Sequence, residues 1–242
     1  MLNTSKKEKK LSIFPNSFLN FLTKNTQTIL SPKISLEQYS TPIPLLNEIF
    51  SNSIDFNNKI VLDMGVGLGS LSFCAAWLGA KSIIGIDSDR EIFQSLKKNE
   101  KFFLNLFLSY QLYSQKEKNF KSKNNKNITN PVFSWIHSQI EFFQLNNLNN
   151  KINIVIMNPP FGTQRKGIDF VFLRQAAKLR CPILSLHKYH SNFNKKLADL
   201  LRIINYKVKW KKKLEFPIKN SMDHHALPLY VVETLLLLIE PV

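Results

Sequence analysis

Along this chain, short apolar runs alternate with longer stretches in which hydrophobic residues recur at helical spacing. Residues 59–63 and 82–87 form short apolar runs that are typical of buried parallel strands. Between them, residues 70–78 predict a helix that ends at Gly79. Because strands and helices alternate, the sequence predicts an α/β fold with right-handed crossovers and a mostly parallel sheet.

The rest of the chain continues this pattern with one interruption. Further strands are predicted at residues 132–137, 152–157, 182–186, 206–216 and 229–239. Further helices are predicted at residues 11–30, 42–51, 89–108, 169–180 and 193–204. We expect residues 1–30 to form a basic tail and a helical extension, and residues 31–242 to form one domain. Residues 111–130 are rich in Lys and Asn and lack apolar periodicity, so they predict a disordered insertion.

Composition narrows the class of protein. With 44% hydrophobic residues the chain is not disordered throughout. No apolar run reaches the roughly 18–20 residues that a membrane helix needs. The N-terminus lacks the apolar core of a secretory signal, and the chain has only 2 cysteines. We therefore expect a protein of the cytoplasm, nucleus or nucleolus that does not associate with membranes.

An excess of positive charge indicates a polyanionic partner. Lys and Arg total 33 against 17 acidic residues, which gives a formal net charge of +16. Such an excess is typical of proteins that bind nucleic acid. A compositional bias toward Lys and Asn is the alternative explanation, because the position of the charges matters more than their total.

A glycine-rich turn follows the first predicted strand. Gly65, Gly67 and Gly69 stand at alternate positions directly before a helix, and Asp63 precedes the first of them. Backbone N–H groups and a helix N-terminus can approach a ligand closely at such a turn. The spacing matches the S-adenosylmethionine (SAM) loop of class I methyltransferases, in which an acid such as Asp87 at the end of the next strand binds the ribose. Alone, this turn does not distinguish SAM from a dinucleotide.

A second motif, Asn158-Pro159-Pro160-Phe161, directly follows the predicted strand at residues 152–157. The prolines fix φ and stiffen the turn. They would aim two hydrogen-bond acceptors, the amide oxygen of Asn158 and the carbonyl of Pro159, at one point. The acceptors suit an exocyclic amine on a planar base, and the ring of Phe161 suits stacking on its heterocycle. A structural turn with a core phenylalanine is the alternative.

With these motifs the sequence resembles the amino-methyltransferases that carry an (N/D)PP(F/Y) motif. Within them it is similar to the methyltransferase-like protein 5 family, from about residue 36 to the C-terminus except for residues 111–130. The most specific stretches are residues 158–163 and 185–188. The resemblance implies a class I, Rossmann-like methyltransferase of seven strands with an antiparallel last strand. It also implies that the product is N6-methyladenosine in small-subunit ribosomal RNA.

The resemblance further assigns roles to individual residues. The catalytic residues would be Asn158, Pro159, Pro160 and Phe161. The SAM-binding residues would be Gln38, Thr41, Asp63, Gly65, Gly67, Leu68, Ser70, Asp87, Ser138 and Gln139. Ser138 or Gln139 stands where the family generally directs an acid at the SAM adenine. Two further departures are Ser40, where the family usually has proline, and Val66, where it usually has cysteine.

The expected reaction is in-line methyl transfer to adenine N6. Hydrogen bonds to Asn158 and Pro159 would favour the tetrahedral nitrogen of the transition state. No general base is needed beforehand, because the product amine can lose its proton to water. Two alternatives stay open. One is a protein glutamine N5-methyltransferase, whose carboxamide substrate also presents an NH₂ group. The other is a catalytically silent RNA-binding or assembly protein with the same fold.

Basic residues on one late strand predict an RNA-binding surface. In residues 206–216, strand alternation would place the lysines on the face opposite Val208, Trp210, Leu214 and Phe216. The predicted RNA-binding residues are Lys207, Lys209, Lys211, Lys213, His187 and Lys188. The alternative for the lysines is that they lie on an edge strand and prevent aggregation between sheets. The alternative for His187 is a solvent-exposed histidine at the end of a strand. His224 and His225 have no cysteine nearby, so no metal site is expected.

A protein partner is also expected. The family resemblance implies a small zinc-binding activator subunit that adds a strand to the sheet edge, so that the two chains form a heterodimer. The residues give one independent hint, since several aromatic side chains exceed what a small sheet can hide. These are Phe102, Phe103, Phe107 and Phe133.

Overall fold

Among residues 12–29, 32–51, 54–119, 129–148, 150–219 and 229–242, which the computed structural model describes, seven strands form one sheet. They are β1 (Ile60–Met64), β2 (Ser82–Asp87), β3 (Val132–His137), β4 (Ile154–Met157), β5 (Ile183–Lys188), β6 (Tyr206–Lys219) and β7 (Leu229–Pro241). Their order is β3-β2-β1-β4-β5-β7-β6. Strands β1 to β5 pair in parallel, and β7 is antiparallel to both of its neighbours. The predicted class I topology with an antiparallel last strand is confirmed.

Helices cover both faces of this sheet. They are α1 (Asn16–Thr26), α2 (Ile43–Ser51), α3 (Ser70–Trp77), α4 (Ile92–Asn119), α5 (Ile168–Ala177) and α6 (Phe193–Ile204). Buried side chains of α1 to α4 form the core on one face, and those of α5 and α6 form the core on the other. Of the helices in the described ranges, none is long and apolar enough to cross a bilayer. His224 and His225 lie outside the described residues.

The central strands are apolar on both faces because helices cover both. In β1, Val61 contributes to one core and Leu62 to the other. In β4, Ile154 and Val155 divide in the same way. Continuous apolar runs, rather than alternating ones, are what a parallel strand buried on two sides requires.

Helix α4 extends farther than the sequence predicted. It continues to Asn119 instead of ending near residue 108, so residues 111–119 are helical and the predicted disorder was wrong for them. The ring of Tyr110 packs against Trp77, with 4.9 Å between the ring centroids. The Gln, Leu, Lys and Glu residues that follow have good helix propensity, which lets the helix continue without apolar periodicity. Residues 120–128 lie outside the described ranges.

Helix α1 covers much of the aromatic surface that was expected to be exposed. The rings of Phe18 and Phe21 lie 6.0 Å and 5.9 Å from that of Phe103, centroid to centroid. Phe103 is consequently buried, and Phe107 is buried against the rings of Trp77 and Phe103. The prediction that these two side chains are exposed apolar surface was wrong. Phe102 faces outward with 46% of its surface exposed. The N-terminal extension is therefore part of the core in this region.

The neighbours Phe102 and Phe103 allow a matched test of this packing. Phe103→Ala should lower the free energy of unfolding by roughly 3–5 kcal/mol, because a cavity replaces a buried ring. Phe102→Ala, one position away on the same helix, should change it by less than about 1 kcal/mol. Urea unfolding of both variants measures the difference. Equal losses would show that α1 does not seal the core over Phe103.

Candidate active site

The register of the central strands brings the two predicted motifs together. Met64 of β1 pairs with Ile86 of β2 on one side and with Met157 of β4 on the other. The residues that follow these three are Gly65, Asp87 and Asn158, and they leave the sheet at the same edge. The chain order reverses here, since β2 and β4 lie on opposite sides of β1. Ligands of open α/β sheets bind at such a point.

The glycine loop, residues 65–69, has backbone angles and close contacts that favour glycine. Gly65, Gly67 and Gly69 all have positive φ angles, of 79°, 52° and 86°. The N–H of Gly65 donates to the carbonyl of Ile86 at 2.9 Å, which holds the loop against β2. A Cβ atom at Gly69 would lie 2.7 Å from the ring of Phe73, so that glycine permits close packing. A Cβ atom at Gly67 would meet no described atom within 4 Å, so that glycine faces space that a ligand can use.

The carboxylate of Asp87 is fixed beside this loop. Its Oδ2 accepts a hydrogen bond from the N–H of Gly67, and its Oδ1 accepts one from the N–H of Asp89, each at 2.9 Å. Burial raises the pKa of Asp87, although these backbone donors oppose the shift. The carboxylate can still accept further hydrogen bonds, because each of its oxygens has two lone pairs. This is the position at which a ribose was predicted.

Asp63 lies beneath the loop rather than in the open space. Its side chain is fully buried, and its Oδ2 accepts a hydrogen bond from Oγ of Ser72 at 2.7 Å. Its Oδ1 has no hydrogen-bond partner in the part of the chain that the structure describes. Burial raises the pKa of Asp63 to about 7, and the negative charge of Asp87 adds to this shift. The group links β1 to α3, and its contact with SAM stays a prediction.

The remaining predicted SAM-binding residues lie around the same edge. Leu68 and Ser70 are buried where α3 begins. Ser138 and Gln139 follow β3, and the N–H of Ser138 donates to the carbonyl of Asp87 at 2.9 Å. The side chain of Gln38 is bound to Asp89, to which its Nε2 donates at 2.7 Å. Asp89 also pairs with Lys33 at 2.6 Å, and the sequence predicted neither of these contacts.

The second motif opens residues 158–164, which we name the catalytic loop after the role that the sequence predicts for it. The Nδ2 of Asn158 donates to Oγ1 of Thr41 at 3.1 Å, whereas Oδ1 of Asn158 is buried and has no partner among the described residues. The ring of Phe161 packs against those of Tyr39 and Phe216, with centroid distances of 4.8 Å and 5.3 Å. Only 7% of Phe161 is exposed. The predicted amide acceptor is thus free, and the predicted stacking ring is covered.

His187 does not belong to an RNA-binding surface. It is completely buried in β5, where Nδ1 lies 3.2 Å from Oδ2 of Asp169 and Nε2 lies 2.9 Å from Oγ of Ser185. Both the predicted RNA contact and the solvated alternative were therefore wrong. The cause is that β5 runs to Lys188, beyond the predicted end at residue 186, so His187 lies inside the sheet. Lys188 is partly exposed at the end of that strand.

The lysines of β6 do not share one face. A β-bulge interrupts the register between Val208, which pairs with Ile239, and Trp210, which pairs with Leu238. Neighbouring residues of β7 point to opposite faces, so Val208 and Trp210 do as well. Lys207, opposite Glu240, therefore lies on the face opposite Lys211 and Lys213, and the predicted common face was wrong.

These lysines also differ in their partners. Lys207 and Lys209 pair with Glu240 at 3.5 Å and 3.3 Å, far from the carboxyl ends of the parallel strands. Lys213 pairs with Glu233 at 3.3 Å and lies 3.9 Å from the centre of the Tyr189 ring. Lys211 and Lys213 are nearer to the catalytic loop end of the sheet, because β6 runs in the same direction as β5. All four side chains are exposed.

Comparison with known proteins reveals several similar chains. A family model described as ribosomal protein L11 methyltransferase (PrmA) matches residues 45–157. An uncharacterised protein of Methanocaldococcus jannaschii is 33% identical over 66% of this chain, and the match covers 64% of that relative, slightly less than two thirds. The rRNA N(6)-adenosine-methyltransferase METTL5 of Danio rerio is 31% identical over 76% of this chain and 75% of its own length.

A solved structure is similar over nearly the whole chain. It is a crystal structure of a candidate RNA methyltransferase from Pyrococcus horikoshii, with a TM-score of 0.72 and 26% identity. The match covers 93% of this chain and 97% of that one. The similarity therefore extends well beyond residues 45–157, which the family model matches.

The buried carboxyl group of Asp63 should shape the pH dependence of stability. Its pKa is about 7 in the folded chain, against about 3.9 for an unfolded aspartate. The folded chain thus keeps a proton that the unfolded chain releases between about pH 4 and pH 7. The contribution of Asp63 to the free energy of unfolding therefore falls as the pH rises through that interval.

Asp63→Asn has no group that titrates at this position, so its free energy of unfolding should lack this slope. Urea unfolding at several values between about pH 5 and pH 8 measures both proteins. Parallel pH profiles would contradict the raised pKa.

Proposed function

We propose that this chain, which belongs to the METTL5 family of rRNA N(6)-adenosine-methyltransferases, transfers the methyl group of SAM to N6 of an adenosine in RNA. We take ribosomal RNA of the small subunit as the substrate. The observation that carries the proposal is the buried Oδ1 of Asn158, which lacks a partner among the described residues and follows β4 next to the glycine loop.

The residues present fit SAM. Three buried side-chain oxygens in the described ranges have no hydrogen-bond partner: Oδ1 of Asn158, Oδ1 of Asp63 and Oε2 of Glu37. Buried polar atoms in proteins nearly always have partners. Of the three, the oxygen of Asn158 lies at the carboxyl end of β4 beside the glycine loop, and it is the one that indicates a ligand at this edge. Gly67 borders open space, and Asp87 stands beside it to receive the ribose hydroxyls. When bound, SAM supplies an electrophilic methyl group.

The chain's own residues would act on the nucleophile. The lone pair of adenine N6 is delocalised into the ring, which makes the amine a poor nucleophile. Acceptance of its two hydrogens by Oδ1 of Asn158 and by the carbonyl of Pro159 favours a tetrahedral nitrogen. Holding the base in line with the methyl group supplies much of the remaining rate enhancement. Stacking of the base on Phe161 requires its ring to become accessible beside Tyr39 and Phe216, which cover it in the structure.

The two alternative functions are not favoured. A glutamine N5-methyltransferase and a silent assembly protein would share the fold and the glycine loop. The METTL5 relative from Danio rerio, which this chain matches over 75% of that relative's length, is an rRNA adenosine methyltransferase. The unpartnered oxygen of Asn158 supports an active enzyme, because a silent protein gains nothing from a buried acceptor left without a donor.

Asn158→Ala should reduce methyl transfer to RNA by at least a hundredfold while SAM still binds, because the acceptor for the amine is lost. Transfer of labelled methyl groups and calorimetric titration with SAM measure the two effects. Asn153→Ala is the matched control, since Asn153 lies just before the other end of β4 and its Oδ1 accepts from the N–H of Ile60 at 2.8 Å. Normal turnover in Asn158→Ala would contradict the proposed acceptor role.

We place the RNA-binding surface along exposed lysines of β6 at the catalytic loop end of the sheet, Lys211 and Lys213, with Lys188 at the end of β5. Lys211 and Lys213 lie on one face of β6, and Lys188 lies at the end of the neighbouring part of the sheet. Lys207 and Lys209 both pair with the carboxylate of Glu240. Lys213 also pairs with a carboxylate, that of Glu233, so ion pairing does not separate the two pairs of lysines. They should differ because Lys207 lies opposite Glu240, at the end of the sheet that is far from the catalytic loop, and a phosphate chain bound at the site is closer to Lys211 and Lys213.

Replacing Lys211 and Lys213 together by Ala should weaken RNA binding and reduce the slope of log K against log salt by about 1.5, which is the loss of two phosphate contacts. Replacing Lys207 and Lys209 together should change the slope by less than half as much. Filter-binding titrations at several salt concentrations provide the slopes. Equal slopes for the two double variants would leave only the role of edge lysines in preventing aggregation.

We also propose a small zinc-binding activator subunit that adds a strand to the outer edge of β3. In support, β3 forms one edge of the sheet, and Val132 is 61% exposed there. Beside it lies an open groove of about 540 Å³ between β3 and α4, lined in part by Phe133, Trp135 and Leu104. An edge with apolar groups beside it suits strand addition by a partner.

Expressed alone, the chain should be poorly soluble, because the edge and groove at β3 stay exposed. Co-expression with the zinc-binding subunit should yield a one-to-one complex that contains zinc, which size-exclusion chromatography and metal analysis can detect. Val132→Lys, which places a charge on that edge, should prevent the complex. A stable monomer with full activity unaided would overturn this proposal.

A further inference from the structure

The segment before α2 holds the catalytic loop at three points. We define residues 37–41 as the clamp segment. Its alternate residues contact the catalytic loop in reverse order: Oε1 of Glu37 accepts from the N–H of Gln164 at 2.7 Å. Oη of Tyr39 accepts from the N–H of Phe161 at 3.1 Å, and Oγ1 of Thr41 accepts from Asn158. Glu37 ends the short 3₁₀ helix Ile34–Leu36 with a left-handed backbone, φ 49°, and Tyr39 and Thr41 follow it at alternate positions.

The middle contact holds the part of the loop that has few other means of attachment. Pro159 and Pro160 have no N–H group and cannot donate hydrogen bonds. The N–H of Phe161 is therefore the first backbone donor after Asn158. A buried N–H without an acceptor costs free energy, and Tyr39 supplies that acceptor. The hydroxyl of Tyr39 thus determines where the chain lies immediately after the catalytic Asn158 and Pro159.

The ring of Tyr39 is also fixed by contacts, with two phenylalanine rings. It packs 4.8 Å from the ring of Phe161 and 5.5 Å from the ring of Phe216 of β6, which is completely buried. Burial raises the pKa of the Tyr39 hydroxyl, and the negative charge of Glu37 adds to the shift. The phenol therefore stays neutral at physiological pH, and its position rather than its charge matters for the loop.

We infer that Tyr39 is a positioning residue for methyl transfer: its hydroxyl holds the backbone of Phe161, so that the Asn158 and Pro159 acceptors converge on the amine. The inference rests on the proposed function, and it adds a residue outside the Asn158–Phe161 motif. It also changes the expected role of Thr41, whose hydroxyl contacts the catalytic Asn158 in the structure. The clamp segment thus acts on the catalytic loop as well as on the SAM site.

Tyr39→Phe tests the inference by removing one oxygen while both rings stay. The turnover number should fall roughly five- to tenfold, because the loop loses one hydrogen bond and its alignment. The affinity for SAM and the KM for RNA should stay within about twofold, which a general loss of folding would not produce. Hydrogen exchange at the Phe161 amide should become faster. Unchanged turnover, or an increase, would overturn the inference.

Tyr206→Phe is the matched control. Tyr206 is a buried tyrosine, whereas Tyr39 is partly buried, and the hydroxyl of Tyr206 donates to the carbonyl of Cys181 at 3.1 Å, far from the catalytic loop. This variant should lose stability to a similar degree and keep its turnover number and the exchange rate at Phe161. A fall in turnover equal to that of Tyr39→Phe would show that any buried hydroxyl matters alike, and would overturn the inference.

Hydrogen exchange of the unaltered chain gives a second measurement that needs no variant. The Phe161 amide should be protected in the folded protein, and rapid exchange there would overturn the inference even if Tyr39→Phe failed to fold. The proposed function can fail separately. If the unaltered chain does not methylate RNA, the substrate assignment falls, whereas the exchange measurement still tests the contact between Tyr39 and Phe161.

Discussion

The pairing register of three parallel strands determines where the glycine loop, Asp87 and Asn158 lie. Met64 of β1 is opposite Ile86 of β2 and Met157 of β4, so the next residues of all three strands emerge side by side. Neighbouring strands are about 4.8 Å apart, which brings the glycine loop, Asp87 and Asn158 within reach of one ligand. A shift of one residue would turn every side chain of a strand to the other face. Because both faces of β1 and β4 are apolar, polarity alone does not prevent such a shift. The fit of individual side chains in the two cores opposes it, and so does the buried hydrogen bond between Asp63 of β1 and Ser72 of α3.

The site is built from segments with few groups that can hold them in place. Glycines have no side chains, and the two prolines after Asn158 have no N–H donors. Neighbouring elements supply the missing contacts: Asp87 holds Gly67, Ser72 holds Asp63, and the clamp segment holds the catalytic loop. The buried oxygens without partners in the described residues lie in these same segments. These unpaired oxygens lower the stability of the fold at this site, where a ligand can provide the missing hydrogen bonds.

The sequence predicted most of the fold because short apolar runs, glycines and prolines act locally. Those signals correctly placed β2, β3 and α6 and the two motifs at the carboxyl ends of β1 and β4. It failed where distant parts of the chain decide the outcome. The bulge in β6 moves Lys207 away from Lys211, and α1 buries Phe103, neither of which local periodicity reveals. The role of Tyr39 was missed for the same reason, since its partner Phe161 is far away in the chain.

The identity of the methylated group is the central claim, and nucleoside analysis tests it most directly. The protein is incubated with SAM labelled in its methyl group and with RNA that contains small-subunit ribosomal RNA. The RNA is then digested to nucleosides for mass spectrometry, and the protein fraction is analysed in parallel. The account predicts label in N6-methyladenosine. Label in protein glutamine, in another nucleoside, or in no product at all would contradict it.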